Sequence, residues 1–179
     1  TGSATGVTTV TGGAGDDVIT GGTAADVIIG GAGGDTINVG TGVGADTVSI
    51  TAAGQTGEYT NQYAGTSVAT TGMDIISGIN SGDDILLSTL YSSNSATTHD
   101  TAVLDSDAIT KAADLSVNVT SNTIHVVRGT YVTNVFSESA TGADAMVIFD
   151  ADADKTTMDH EAFVIVGGGA FTYTIDAAA

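Results

Sequence analysis

Eighteen aspartates and three glutamates (Glu58, Glu138, Glu161) carry nearly all the charge of this 179-residue chain. Their placement is regular near the start. Asp17, Asp26 and Asp35 stand nine residues apart, and Ile19, Ile28 and Ile37 keep the same interval. After a two-residue insertion the pair recurs as Asp46 and Val48. A short carboxylate beside a glycine-rich turn reaches a hard cation without immobilising a long stem. Several carboxylates held close repel one another unless a cation or protons neutralise them. The chemistry on offer is oxygen ligation of a divalent ion. Ca2+ suits it better than Mg2+, which keeps its waters and demands strict octahedra. A solvating acidic surface is the simpler alternative, but it would spread its acids rather than hold them in register.

The elements that must position these residues follow from the repeat. Residues 12–20 read Gly-Gly-Ala-Gly-Asp-Asp-Val-Ile-Thr, residues 21–29 Gly-Gly-Thr-Ala-Ala-Asp-Val-Ile-Ile, and residues 30–38 Gly-Gly-Ala-Gly-Gly-Asp-Thr-Ile-Asn. Residues 41–49 repeat the pattern with Thr41 in place of the first glycine. Residues 3–11 fit weakly, with Thr8 at the aspartate position. Six glycine-rich residues turn and three make a strand whose middle residue points inward. Two nonapeptides make one coil, so Asp17 should stack on Asp35 and Asp26 on Asp46, with turn carbonyls around each pair. Ala24, replacing the fourth glycine, puts the tightness of its turn in question.

These units resemble the Gly-Gly-x-Gly-x-Asp-x-U-x nonapeptides of RTX proteins, whose calcium role the resemblance implies. The fold expected is all-β: a calcium-binding parallel β-roll over 1–49, then a small, mostly antiparallel β unit. A Gly-x-Asp-x-apolar core recurs at 72–76, 82–86 and 142–146. Residues 50–88 are read as an insertion (50–68) plus a degenerate continuation or cap of the roll, with Asp74 and Asp84 as its metal ligands. The run 74–88 also resembles the segment that closes the roll in serralysin-type proteins.

Residues 89–179 form the expected C-terminal β unit. A loop is expected over 89–106 and a short helix over 107–115. Strands are expected over 117–119, 123–128, 130–136, 145–149, 162–166 and 171–175. Ile124, Val126, Phe136, Val147, Phe149, Phe163 and Ile165 would supply the core. The spacing Asp150, Asp152, Asp154 with Glu161 at the twelfth position copies part of an EF-hand loop. Lys155 stands where that loop needs glycine, and strand-like segments flank it. The expectation is a calcium loop between strands, with an exposed acidic hairpin as the alternative. Residues 124–166 resemble the C-terminal region of large secreted RTX proteins and RTX-type surface-layer proteins. In that family the last residues form an uncleaved type I secretion signal, with which 171–179 is compatible.

Composition narrows the function. A net charge of -18 with three bases (Lys111, Arg128, Lys155) excludes phosphate recognition, so no nucleic acid, and disfavours an anionic membrane. There is no cysteine, hence no disulfide and no thiolate-bound metal. No apolar run is long enough for a membrane-spanning helix, so direct insertion is not expected. A hydrophobic content of 41% and mean hydropathy of +0.25 are too apolar for a disordered acidic tail. Arg128 is read as an ion-pair partner for the acidic surface, and a chain that opens at Thr1 as a processed product or the C-terminal part of something longer.

No catalytic constellation emerges. His99, His125 and His160 are scattered, His160-Glu161 lacks a second histidine at Val164, and no Gly-x-Ser-x-Gly elbow occurs. The outward residues Thr20, Ile29, Asn38 and Ser49 form no threonine ladder for ice. The expectation is a non-catalytic, calcium-dependent structural module of a secreted bacterial surface protein. It would self-associate into a lattice or fibre, with a cell-surface glycan as a further partner. The alternative is the calcium-folding and secretion end of a larger RTX protease, lipase or adhesin.

Overall fold

A computed structural model describes residues 6, 8–42, 44–50, 57–59, 67–80, 82–86, 125–150 and 160–167. Every regular element among them is a strand. The expected helix at 107–115, the loop at 89–106 and the strands at 117–119 and 171–175 lie outside the described residues.

The first sheet carries β1 (Thr9–Ala14), β3 (Val27–Ala32), β5 (Thr47–Ser49) and β9 (Asp84–Leu86), all parallel and in that order. The second begins with β2 (Val18–Thr20), β4 (Thr36–Asn38) and β8 (Asp74–Ser77), also parallel. Val10 lies beside Ile28, and Ile19 beside Ile37, as a coil of two nonapeptides requires. The third rung is irregular. β5 follows β3 in register, but the chain then leaves the roll, and β8 rather than a neighbouring nonapeptide fills the next place beside β4.

The antiparallel strands extend the second sheet and do not stack on the roll as a separate body. β13 (His160–Val166) runs parallel to β8, pairing Ile165 with Ile76. Beyond it come β12 (Asp144–Asp150), β10 (His125–Val132), β11 (Val135–Glu138) and β7 (Ser67–Ala69), each antiparallel to its neighbour. β6 (Gly57–Tyr59) pairs with the first part of β13. The stretch 50–68, read as an insertion, thus contributes a strand to this sheet and begins another.

One core runs through both parts. Ile19, Ile28, Ile37, Val48, Ile76 and Ile85 cluster with Val126, Val147, Phe163 and Ile165. Phe136, placed with them from sequence, belongs instead to a second cluster with Val68, Met73, Met146 and Val164, since alternate residues of a strand face opposite ways. The expected strand over 130–136 is broken. Thr133 (φ 45°) and Asn134 (φ 60°) make a two-residue turn between Val132 and Val135. Two positive φ values in such a turn match the right-handed twist of a hairpin, normally signalled by Asn-Gly or Asp-Gly.

The glycine-rich turns stack backbone on backbone. A Cβ at Gly31 would strike the carbonyl of Gly13, and its φ of 115° already suits only glycine. Ala24 escapes this demand. It has no positive φ, and the turn stacked on it supplies Gly42 and Gly44 instead, against the backbones of Thr23, Ala24 and Ala25.

Candidate metal centre

At each corner before a strand the same hydrogen-bond pair recurs. The amide of Asp17 donates to Asp35 Oδ1 at 2.9 Å, while the Thr36 amide donates back to the Asp17 carbonyl at 2.8 Å. Asp35 repeats this upon Asp74: its amide reaches Asp74 Oδ1 at 2.8 Å, and the Ile75 amide reaches its carbonyl at 2.7 Å. Asp17, Asp35 and Asp74 therefore form one column beside the second sheet. On the other side the Thr8 amide and hydroxyl donate to Asp26 Oδ1, the Asp26 amide to Asp46 Oδ1 at 2.8 Å, and the Asp46 amide to Asp83 Oδ1 at 2.9 Å.

These carboxylates are buried: Asp26, Asp35, Asp46 and Asp74 are at most 3% exposed. Burial pushes Asp35 above the ordinary carboxylate range, with the charges of Asp17 and Asp16 adding to it. Burial also raises Asp46, reinforced by Asp83 and Asp26. Asp74 is pushed up to about 8, by burial first and then by the charges of Asp35 and Glu161. Asp26 alone is lowered, because the Thr8 hydroxyl and the Gly22 amide stabilise its anion.

A column of buried carboxylates must be neutralised by protons or by a cation. Arg128, the one lysine or arginine among the described residues, does not provide it. Its Nε donates to the Gly142 carbonyl at 2.6 Å. Asp35 Oδ2 is buried without a hydrogen-bond partner. It lies where a side chain on Gly30 would stand, as Asp17 Oδ2 lies 2.7 Å from the place of one on Gly12. The Gly30 carbonyl faces that same space at Gly12. Carboxylate and carbonyl oxygens thus converge where glycine leaves room, which is the donor set of Ca2+. Among the described residues no three acidic or histidine side chains gather into one metal-binding group, so an ion here would draw on stacked pairs and turn carbonyls.

The structure brings Asp17 onto Asp35 and Asp26 onto Asp46. It adds Asp74, 39 residues from Asp35, to the first column. Asp84 is displaced by one position. Thr47 pairs with Asp84 and Val48 with Ile85, so Asp83 takes the place beside Asp46, and Asp84 is an exposed strand residue. The inward position of Ile85 sets this register. Glu161 is a buried residue within β13, opposite Phe149 and Glu58, not the end of a loop. Asp150 ends β12 opposite His160, while Asp152 and Asp154 lie outside the described residues. Asp144, in the third recurrence of Gly-x-Asp-x-apolar, joins no column. It accepts the Tyr131 amide at 2.7 Å and the Gly167 amide at 2.8 Å, tying three segments of the antiparallel unit.

Two overlapping stretches, residues 4–37 and 11–48, match the family described as RTX calcium-binding nonapeptide repeat (4 copies). Residues 4–48 therefore carry RTX-type nonapeptide repeats, and the aspartate columns start within them. No curated protein matches the chain. Among solved structures, the AlgE6R3 subunit from the Azotobacter vinelandii mannuronan C5-epimerase, solved in solution, is similar at 19% identity. The similarity covers 97% of this chain and 82% of that one, with a TM-score of 0.43.

Proposed function

We propose that this chain is a non-catalytic structural module of a secreted bacterial surface protein, and that it folds and assembles on binding Ca2+. Asp17, Asp26, Asp35 and Asp46 are the ligands, with turn carbonyls completing each shell. The observation that carries this reading is the buried, partnerless Oδ2 of Asp35 in a column of like charges. Without a cation, that column and a net charge of -18 oppose the compact state. With one, binding supplies folding free energy, as at other obligate metal sites. Extracellular calcium modules bind at ~10⁻⁴–10⁻³ M, a range that keeps such a chain unfolded in a low-calcium cytoplasm and folds it outside. RTX repeats are typical of secreted proteins, which supports that location.

Assembly is the second level of the proposal. Calcium bridging acidic faces of neighbouring copies would screen the charge that keeps them apart. Circular dichroism through a calcium titration tests folding, and electron microscopy with and without chelator tests assembly. The proposal expects β structure and ordered arrays with calcium, both lost on chelation. Arrays that never form, or that survive chelation, defeat the assembly claim. A spectrum indifferent to calcium defeats the folding claim.

A further inference from the structure

We propose that the exposed face of β10, β11 and β7 is a surface through which two copies of this chain meet. The proposal rests on the assembly reading above and deepens it, by naming a contact made without carboxylates.

The face follows from the unequal sheets. The first sheet stops at β9 after four strands, while the second runs on through β13 and β12 to β10, β11 and β7. Val126 of β10 still faces the core shared with the roll, beside Val147 and Phe163. Alternation puts Thr130 and Val132 on the same side of that strand, where both are exposed. Pairing then carries this side across the next two strands in rows. Val132 lies opposite Val135, and Val135 opposite Ala69. Thr130 lies opposite Ser137, and Ser137 opposite Ser67. The first row is apolar. The second is a row of hydroxyls, with Ser67 Oγ 2.8 Å from Ser137 Oγ. Val132 is 62% exposed and Val135 41%, two of the three large hydrophobic residues left open to solvent among the described residues. The reverse side of the same strands is closed, with Val68 and Phe136 buried in the second cluster.

Charge selects the occupant. The chain carries -18, yet neither row holds an acid. Glu138 and Asp144 both pair with Gly129, which belongs to the reverse side. Arg128 falls on the exposed side by the same alternation. Two copies repel wherever their carboxylates approach within about 8 Å, the screening length at physiological ionic strength. They can touch closely only where a surface has none. A polyanion is repelled by the rest of the molecule, and a basic partner is drawn to the carboxylates elsewhere. A second copy suits this face, because valine row on valine row across a two-fold axis is self-complementary, as in sheets packed about 10 Å apart. Two short rows cover far less than the ~800 Å² per partner of a stable dimer, so the contact is weak in an isolated pair and gains strength by repetition in an array.

The test is sedimentation velocity in saturating calcium over a concentration series, on the native chain, Val132→Asp and Val18→Asp. Val18 is 76% exposed on β2, at the opposite end of the second sheet, so it takes the same charge change away from the face. The native chain and Val18→Asp should associate alike, and Val132→Asp at least tenfold more weakly. Equal association of all three, or equal weakening of both variants, overturns the assigned face. A native chain that folds in calcium but stays monomeric at every concentration leaves the face to a different protein and overturns the self-contact. Calcium-dependent arrays that form equally from Val132→Asp overturn this surface and leave the assembly reading standing. A native chain in which calcium induces no β structure overturns the calcium reading, and this proposal with it. If Val132→Asp does not fold, the methyl resonances of Val132 and Val135 in the native chain decide: movement with rising concentration supports the contact, and no movement contradicts it.

Discussion

Asp35 carries opposite obligations with and without calcium. It accepts the Asp17 amide, yet it holds a buried charge and an oxygen without a partner. Asp35→Asn keeps an acceptor and removes the charge. In chelator it should therefore be more stable than the native chain, by about 1 kcal/mol or more, because the uncompensated anion is gone. In saturating calcium it should be less stable, because a ligand is lost. Circular dichroism in chelator, where Asp35→Asn should retain more β structure than the native chain, and urea denaturation in saturating calcium, where it should unfold earlier, check the reversal of sign, and a same-sign result contradicts it. Asp84→Ala, at an exposed strand position, should stay within about 0.5 kcal/mol of the native chain in either condition. The nonapeptide interval made Asp17, Asp26, Asp35 and Asp46 legible in the sequence. It could not choose between Asp83 and Asp84, which differ only in which neighbour turns inward. Nor could it foresee that Asp144, in the same five-residue motif, would bind amides of the antiparallel unit.

The columns also behave as elements, and their burial sets a pH dependence. In the metal-free fold Asp74 is raised from the usual 3.8 to about 8, and Asp35 and Asp46 are raised too. The folded chain thus binds protons that the unfolded chain has already released. Metal-free stability should rise as pH falls from about 8 toward 4, and be lost as pH climbs through about 8. Asp26, whose value is lowered, acts in the opposite sense only in more acidic solution. In chelator the β signal in circular dichroism should therefore be larger at pH 5 than at pH 8, and the reverse order would contradict the buried-column account. Turns impose their own constraint. Gly31→Ala places a side chain against the Gly13 carbonyl at a φ of 115° and should lower stability by on the order of 1–3 kcal/mol, read as a fall in Tm. Strand boundaries were less legible than turns, because Thr133-Asn134 lacks the glycine that usually announces a hairpin.

At the scale of the whole molecule, the roll and the antiparallel strands share a sheet and a core. Phe163 and Ile165 of β13 fill the same interior as Ile37 and Ile76, and β13 completes the edge that β8 presents. This union was not legible locally, since parallel pairing between residues 74–77 and 163–166 has no short-range signal. Replacing Phe163 with alanine should therefore weaken the roll as well as the antiparallel strands, by about 3–5 kcal/mol as for a large buried aromatic. Hydrogen exchange at the amides of β4 and β8 would report it. Loss confined to 125–166 would mean two independent bodies. The account rests, beneath this, on calcium between stacked carboxylates. Its most direct test is an anomalous difference map from crystals grown in saturating calcium. Peaks between Asp17 and Asp35 and between Asp26 and Asp46 are expected, and featureless density at both places would contradict the account.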